Sequence, residues 1–78
     1  MATEKTTHVL DTSGLTCPEP VMLLHKKIRE VASGDWIRVT ATDISTTRDI
    51  PKFCHYLGHK MIEQQELDST YLYVIEKA

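Results

Sequence analysis

The sequence predicts an α/β (α+β) fold: a two-layer sandwich of order βαβαββ, with two helices packed on one face of a mixed four-stranded sheet. Three observations predict it. Val21, Leu24, Ile28 and Val31, and later Ile50, Phe53, Cys54 and Leu57, recur at steps of three and four, which is helical spacing. Between them, Trp36 to Thr42 alternates strictly, with Ile37, Val39 and Ala41 on one side and Trp36, Arg38, Thr40 and Thr42 on the other. Such alternation belongs to a strand buried on one face only, so both helices are assigned to that face.

In chain order, His8 to Thr12 (HVLDT) is a short first strand closed by Ser13-Gly14. Pro18 to Ser33 forms the first helix, with Gly34 as its stop. Trp36 to Thr42 is the second strand. The polar run Asp43 to Thr47 opens the second helix, where Thr46 and Asp49 have the spacing of a capping box and Pro51 is expected near the first turn. Gly58 ends that helix. Lys60 to Glu66 and Tyr71 to Glu76 are the last strands, joined through the turn-prone Asp68-Ser69. Strands one and two, linked by a helix, should run parallel with a right-handed crossover, and strands three and four should form an antiparallel hairpin.

Seventy-eight residues fit a single domain spanning 1–78, with about the first seven residues frayed. A chain of this size has little room for a deep pocket. Hydrophobic residues make up 41% and charged residues 26%, the composition of an ordinary soluble protein. The net charge of −2 and pI of about 6.0 argue against direct nucleic-acid binding, which needs a concentrated basic surface. No apolar run is long enough to span a bilayer, and the N-terminus lacks the charged-then-apolar order of a secretory signal. No membrane association and a cytoplasmic location are therefore expected, and a monomer is the simplest expectation. With no Cys-x-x-Cys pair and no secretory context, Cys17 and Cys54 both read as free thiols.

The chemistry concentrates at Leu15-Thr16-Cys17-Pro18-Glu19-Pro20. Prolines suit the first turn of a helix, where the N–H groups have no intrahelical acceptor, so Pro18 and Pro20 fix its start and place Cys17 at the N-cap. Free N–H groups and the positive end of the helix dipole would favour a thiolate there, and a persulfide anion likewise. Glu19 in the first turn would oppose this. The bland reading is that Cys17 merely starts a helix, but Ser, Thr, Asp and Asn cap better. Cys54, on an apolar stripe, reads as a small hydrophobe. His55 and His59 are four apart, yet Gly58 interrupts the helix between them and no third ligand accompanies them, so no metal and no cofactor are expected. Arg48 and Asp49 read as a charge pair at a helix start. Met22, Leu23, Lys26 and Lys27 project away from the buried stripe of the first helix and form a mixed apolar and basic patch, the candidate partner surface.

Cys17-Pro18-Glu19-Pro20, followed by Val21-Met22-Leu23-Leu24, resembles the C-P-x-P motif of the TusA/SirA family, and a second block from Ala41 to Cys54 resembles that family's segment at the second helix. The resemblance covers nearly the whole chain. One departure is Ile44, where relatives usually carry proline after the aspartate. The resemblance implies a two-layer sandwich like the C-terminal domain of translation initiation factor three. It implies a sulfurtransferase-type carrier with a covalent persulfide on Cys17, rather than a free-standing multiple-turnover enzyme. An IscS-like cysteine desulfurase would be the donor and a TusBCD-type relay complex the acceptor, serving 2-thiolation of the tRNA wobble uridine; molybdenum cofactor and sulfur oxidation are other pathways served by such carriers. Two rival readings of the residues remain: a thiol redox enzyme pairing Cys17 with Cys54, and a non-catalytic interaction or regulatory module in which C-P-E-P is only a helix start.

Overall fold

A computed structural model describes residues 6–78. The elements are β1 (Thr7–Thr12), α1 (Glu19–Glu30), β2 (Trp36–Ala41), α2 (Thr46–Leu57), β3 (Lys60–Leu67) and β4 (Thr70–Glu76). Alternation in β2 becomes the centre of the molecule: Ile37, Val39 and Ala41 are buried while Arg38 is exposed. Opposite them in the antiparallel partner β4 stand Ile75, Tyr73 and Tyr71, all buried. The sheet order is β1-β2-β4-β3, with β1 parallel to β2 and the other pairings antiparallel, as the order of elements predicts.

Leu24 and Ile28 of α1, Val31 just after it, and Ile50, Phe53 and Cys54 of α2 complete the core over the same sheet face. Leu57 departs from the expected stripe and is 47% exposed. Residues 55–58 are exposed as a run, so the last turn of α2 extends past the core layer.

The helix ends are set differently from one another. Gly58 caps α2 in the left-handed conformation (φ 76°), where a residue with a Cβ is strained, and its N–H bonds to Cys54 O as expected. By contrast α1 stops at Glu30 with Val31 extended and buried, and the Val31 carbonyl accepts Lys77 Nζ at 2.7 Å. Gly34 lies beyond the helix in the turn into β2, where its N–H bonds to Lys77 O. At the start of α2, Thr46, Thr47 and Arg48 each donate to the residue three back, a tightly wound first turn. Pro51 sits inside the helix, one turn later than expected. The expected capping box does not form: Thr46 Oγ1 donates back to Asp43 O at 2.7 Å, and Ser45 is the N-cap. Asp68 and Ser69 both have positive φ (50° and 62°), the geometry of a tight hairpin turn whose twist matches its strands.

Of the seven N-terminal residues expected to fray, 1–5 lie outside the described residues. Thr7 already belongs to β1, and Thr6 O accepts the N–H of Trp36 at 3.0 Å.

Candidate functional site

Because β1 and β2 are parallel neighbours, with Thr12 in register with Ala41, the loops that leave their C-terminal ends emerge side by side. Polar bonds lace them together. Thr12 Oγ1 donates to Thr40 O at 2.7 Å, and Gly14 N–H donates to Thr42 Oγ1 at 2.8 Å. Gly14 has φ 82°, which lets its amide turn toward that partner. The third bond is short and charge-assisted: Cys17 N–H to Asp43 Oδ2 at 2.6 Å. Asp43 also accepts from Ser45 N–H at 3.1 Å and from Ser45 Oγ at 2.9 Å, and these N–H and O–H donors hold its carboxyl below the usual range.

Cys17 therefore belongs to the loop. Its amide is taken by Asp43, and Pro18 occupies the N-cap, its carbonyl accepting from Met22 N–H at 3.1 Å. The sequence expectation placed the cysteine one residue later in the cap. The Cys17–Pro18 peptide is cis. The side chain is exposed, and its Sγ donates to Asp49 Oδ2, in the first turn of α2, at 3.2 Å. Asp49 is steadied from the other side by Arg48 Nε, which donates to Oδ1 at 3.0 Å.

This geometry reverses the expected electrostatics of the thiol. The hydrogen bond to Asp49, some loss of hydration and the Asp49 charge all raise the Cys17 pKa above its ordinary value, against smaller lowering effects of Ser45 and Arg48. A carboxylate at hydrogen-bond distance favours the neutral thiol, and the exposed loop position removes Cys17 from the cap where backbone N–H groups would have stabilised the anion. Asp49, conversely, is held below the usual carboxylate range by Cys17 and Arg48. The carboxylate that opposes the thiolate is thus Asp49, whereas Glu19 is exposed in the first turn of α1.

Pro20 is fully buried and anchors the start of α1, while Pro18 stays exposed beside the sulfur. The candidate partner residues split into two rows. Met22 (59% exposed) and Lys26 face solvent, whereas Leu23 and Lys27 are half-buried. Leu23, Lys26 and Lys27 line a shallow depression of about 210 Å³ with Leu10 and Glu30. Lys27 lies ~12 Å along the helix from Glu19 at 1.5 Å per residue. A larger depression of about 300 Å³ lies on the uncovered sheet face, lined by Val9, Arg38, Thr40 and Leu72 among others, and Cys17 is not part of it.

Cys54 is buried at 3% exposure, and burial pushes its thiol up to about 11. His59 stacks on Phe53 at 5.5 Å, and its Nδ1 accepts the N–H of Ala78 at 3.0 Å; His25 meets the same ring edge-on at 4.6 Å. Both rings are engaged in packing around Phe53.

Sequence reasoning missed Asp43, Ser45 and the pairing of Asp49 with Cys17. The available signal was topological: parallel neighbouring strands bring residues 13–18 against residues 42–49, so polar groups in the second loop were candidates for the first.

One exposed thiol suspended between two loops, with the second thiol sealed in the core, defines a small α/β thiol protein that must meet its reactants at the surface. A family model described as sulfurtransferase TusA matches residues 8–77. Sulfur carrier protein TusA of Pseudomonas paraeruginosa is 61% identical over 69 residues, covering 88% of this chain and 87% of the relative. The protein of the same name from Pseudomonas putida strain W619 is 58% identical, covering 88% and 86%. Among solved structures, a SirA-like protein from Desulfitobacterium hafniense superposes with a TM-score of 0.78 at 23% identity, covering 87% of this chain and 93% of its own, and shares the fold. This chain belongs to the TusA family of sulfur carriers.

Proposed function

We propose that Cys17 accepts sulfane sulfur from a cysteine desulfurase of the IscS type, holds it as a persulfide, and passes it to a TusBCD-type relay complex for 2-thiolation of the tRNA wobble uridine. The observation that carries this reading is the contrast between the two thiols: Cys17 is exposed at the loop before α1, and Cys54 is buried with its pKa raised to about 11. Loading requires no net oxidant. Cys17 loses its proton, and its thiolate forms a bond to the outer sulfur of the donor persulfide; the donor's S–S bond breaks and the donor cysteine leaves as a thiolate that takes up a proton. Delivery repeats the exchange with the acceptor's thiolate attacking the outer sulfur on Cys17. The same contrast disfavours a redox pair, since Cys54 would have to leave the core to reach Cys17.

Action in the cytoplasm accords with the described helices, none of which is long and apolar enough to cross a membrane. Met22 and Lys26 on the exposed side of α1, with Leu23 and Lys27 half-buried behind them, are the proposed docking contacts for donor and acceptor. The pathway is tested by supplying this chain to a bacterial strain deleted for its own carrier and measuring thiolated wobble uridine by nucleoside mass analysis. Wild type is expected to restore it and Cys17→Ser to fail. Restoration by Cys17→Ser, which keeps the backbone amide that donates to Asp43, would instead support a non-covalent role.

A further inference from the structure

We infer that Asp49 is a reactivity-setting residue: it holds the proton on Cys17 in the empty carrier and so restrains the sulfur until a partner docks. Sγ of Cys17 and Oδ2 of Asp49 are 3.2 Å apart, and the thiol has a proton to give where the ionised carboxylate can only accept. Asp49 does not reach the sulfur by accident of a long floppy side chain. It has two rotatable bonds, stands in the first turn of a packed helix, and has its other oxygen fixed by Arg48 at 3.0 Å. Cys17 is fixed in turn by the 2.6 Å bond from its amide to Asp43. Both ends of the contact are therefore pre-positioned. The charged groups that bear on it are Asp49 and Arg48 of α2 at the sulfur, Asp43 at the Cys17 amide, and Lys52 acting on Asp49.

The thiolate is the form that reacts with alkylating agents and peroxides, so a carrier whose only exposed cysteine is kept protonated is protected from non-specific electrophiles. Docking can release the restraint when a cation of the partner draws on the Asp49 carboxylate. Once sulfur is loaded, Sγ bears no proton, the hydrogen bond cannot form, and Asp49 is left with Arg48. Empty and loaded carriers thus present different charge arrangements beside the cargo.

The inference concerns the same cysteine as the proposed function, but its test reads alkylation instead of sulfur transfer, so the two can fail separately. The rate of Cys17 alkylation by iodoacetamide is followed by intact mass across pH for wild type, Asp49→Asn, Asp49→Ala and Asp49→Glu, with circular dichroism confirming that each variant is folded. The profile midpoint is expected to move to lower pH in the Asn and Ala variants, with several-fold faster alkylation at neutral pH, and to return toward wild type with Glu. An unchanged midpoint in folded Asp49→Asn and Asp49→Ala, or one moved to higher pH, overturns the inference.

Discussion

Cys17 and Asp49, 32 positions apart in sequence, meet through a 3.2 Å hydrogen bond from thiol to carboxylate at the place where the β1–α1 and β2–α2 connections converge. The contact gives each partner an electrostatic signature that depends on the other, and this leads to the first prediction. Treating the protein with methyl methanethiosulfonate converts Cys17 to a mixed disulfide, which like a persulfide has no proton on Sγ. The Cys17 hydrogen bond is the largest influence lowering the Asp49 pKa. Its removal should raise the Asp49 titration midpoint toward the ordinary carboxylate value, as read by carboxyl-carbon NMR. An unmoved midpoint would show that the contact does not persist in solution.

Asp43 supplies the other half of the site. Its pKa is depressed by the amides of Cys17 and Ser45 and by the Ser45 hydroxyl. A folded pKa below the unfolded one means that the stabilisation is fully present above the unfolded value, near 3.8, and is lost as pH falls through the lower folded value. The Tm difference between wild type and Asp43→Asn should therefore shrink as the pH is taken from ~6 to ~2. At neutral pH, the Cys17 amide should exchange with solvent faster in the variant, because its acceptor loses its charge.

Thr46 and Tyr73 test the buried polar seam beneath the site. Thr46 Oγ1 donates to Asp43 O, which leaves the Tyr73 hydroxyl as donor to Thr46 at 2.9 Å. Tyr73→Phe removes one bond and strands no donor, costing about 1 kcal/mol. Thr46→Val strands the tyrosine hydroxyl, while the Asp43 carbonyl keeps the Thr46 backbone N–H, and should cost about 2 kcal/mol. Urea unfolding of the two variants gives both values, and an equal or reversed order would contradict this donor assignment.

Cys54 should stay unreacted with iodoacetamide in the native protein and react only on unfolding, since burial at 3% exposure and a pKa of about 11 both oppose the thiolate. Cys54→Ala should remain folded. Cys54→Ser is the poorer control, because it buries a hydroxyl at a cost of about 1–3 kcal/mol.

Much of this fold was legible because periodicity reports burial directly. The alternation of Trp36 to Ala41 named the sheet's inner face, and the stripes through Leu24 and Phe53 named the helices that cover it. Turn chemistry at Asp68-Ser69 and Gly58 was equally local and was realised in the backbone. The site was only half legible. Cys17 declared itself through its two prolines, but its environment depends on Asp43 and Asp49, which come from the other side of a parallel strand pair. Local rules assigned Asp49 to a capping box or a charge pair, and assigned Cys17 to a helix dipole. Tertiary contact redirected both: the loop bond to Asp43 withdrew Cys17 from the cap, and Asp49 turned from its own helix start to the sulfur.

The central claim, that Cys17 carries the sulfur, is tested most directly by intact-mass analysis after incubation with a cysteine desulfurase and L-cysteine, comparing wild type, Cys17→Ser and Cys54→Ala. The account predicts a reductant-removable gain of one sulfur on wild type and Cys54→Ala and none on Cys17→Ser. No gain on wild type, or a gain that persists in Cys17→Ser and vanishes in Cys54→Ala, would contradict it.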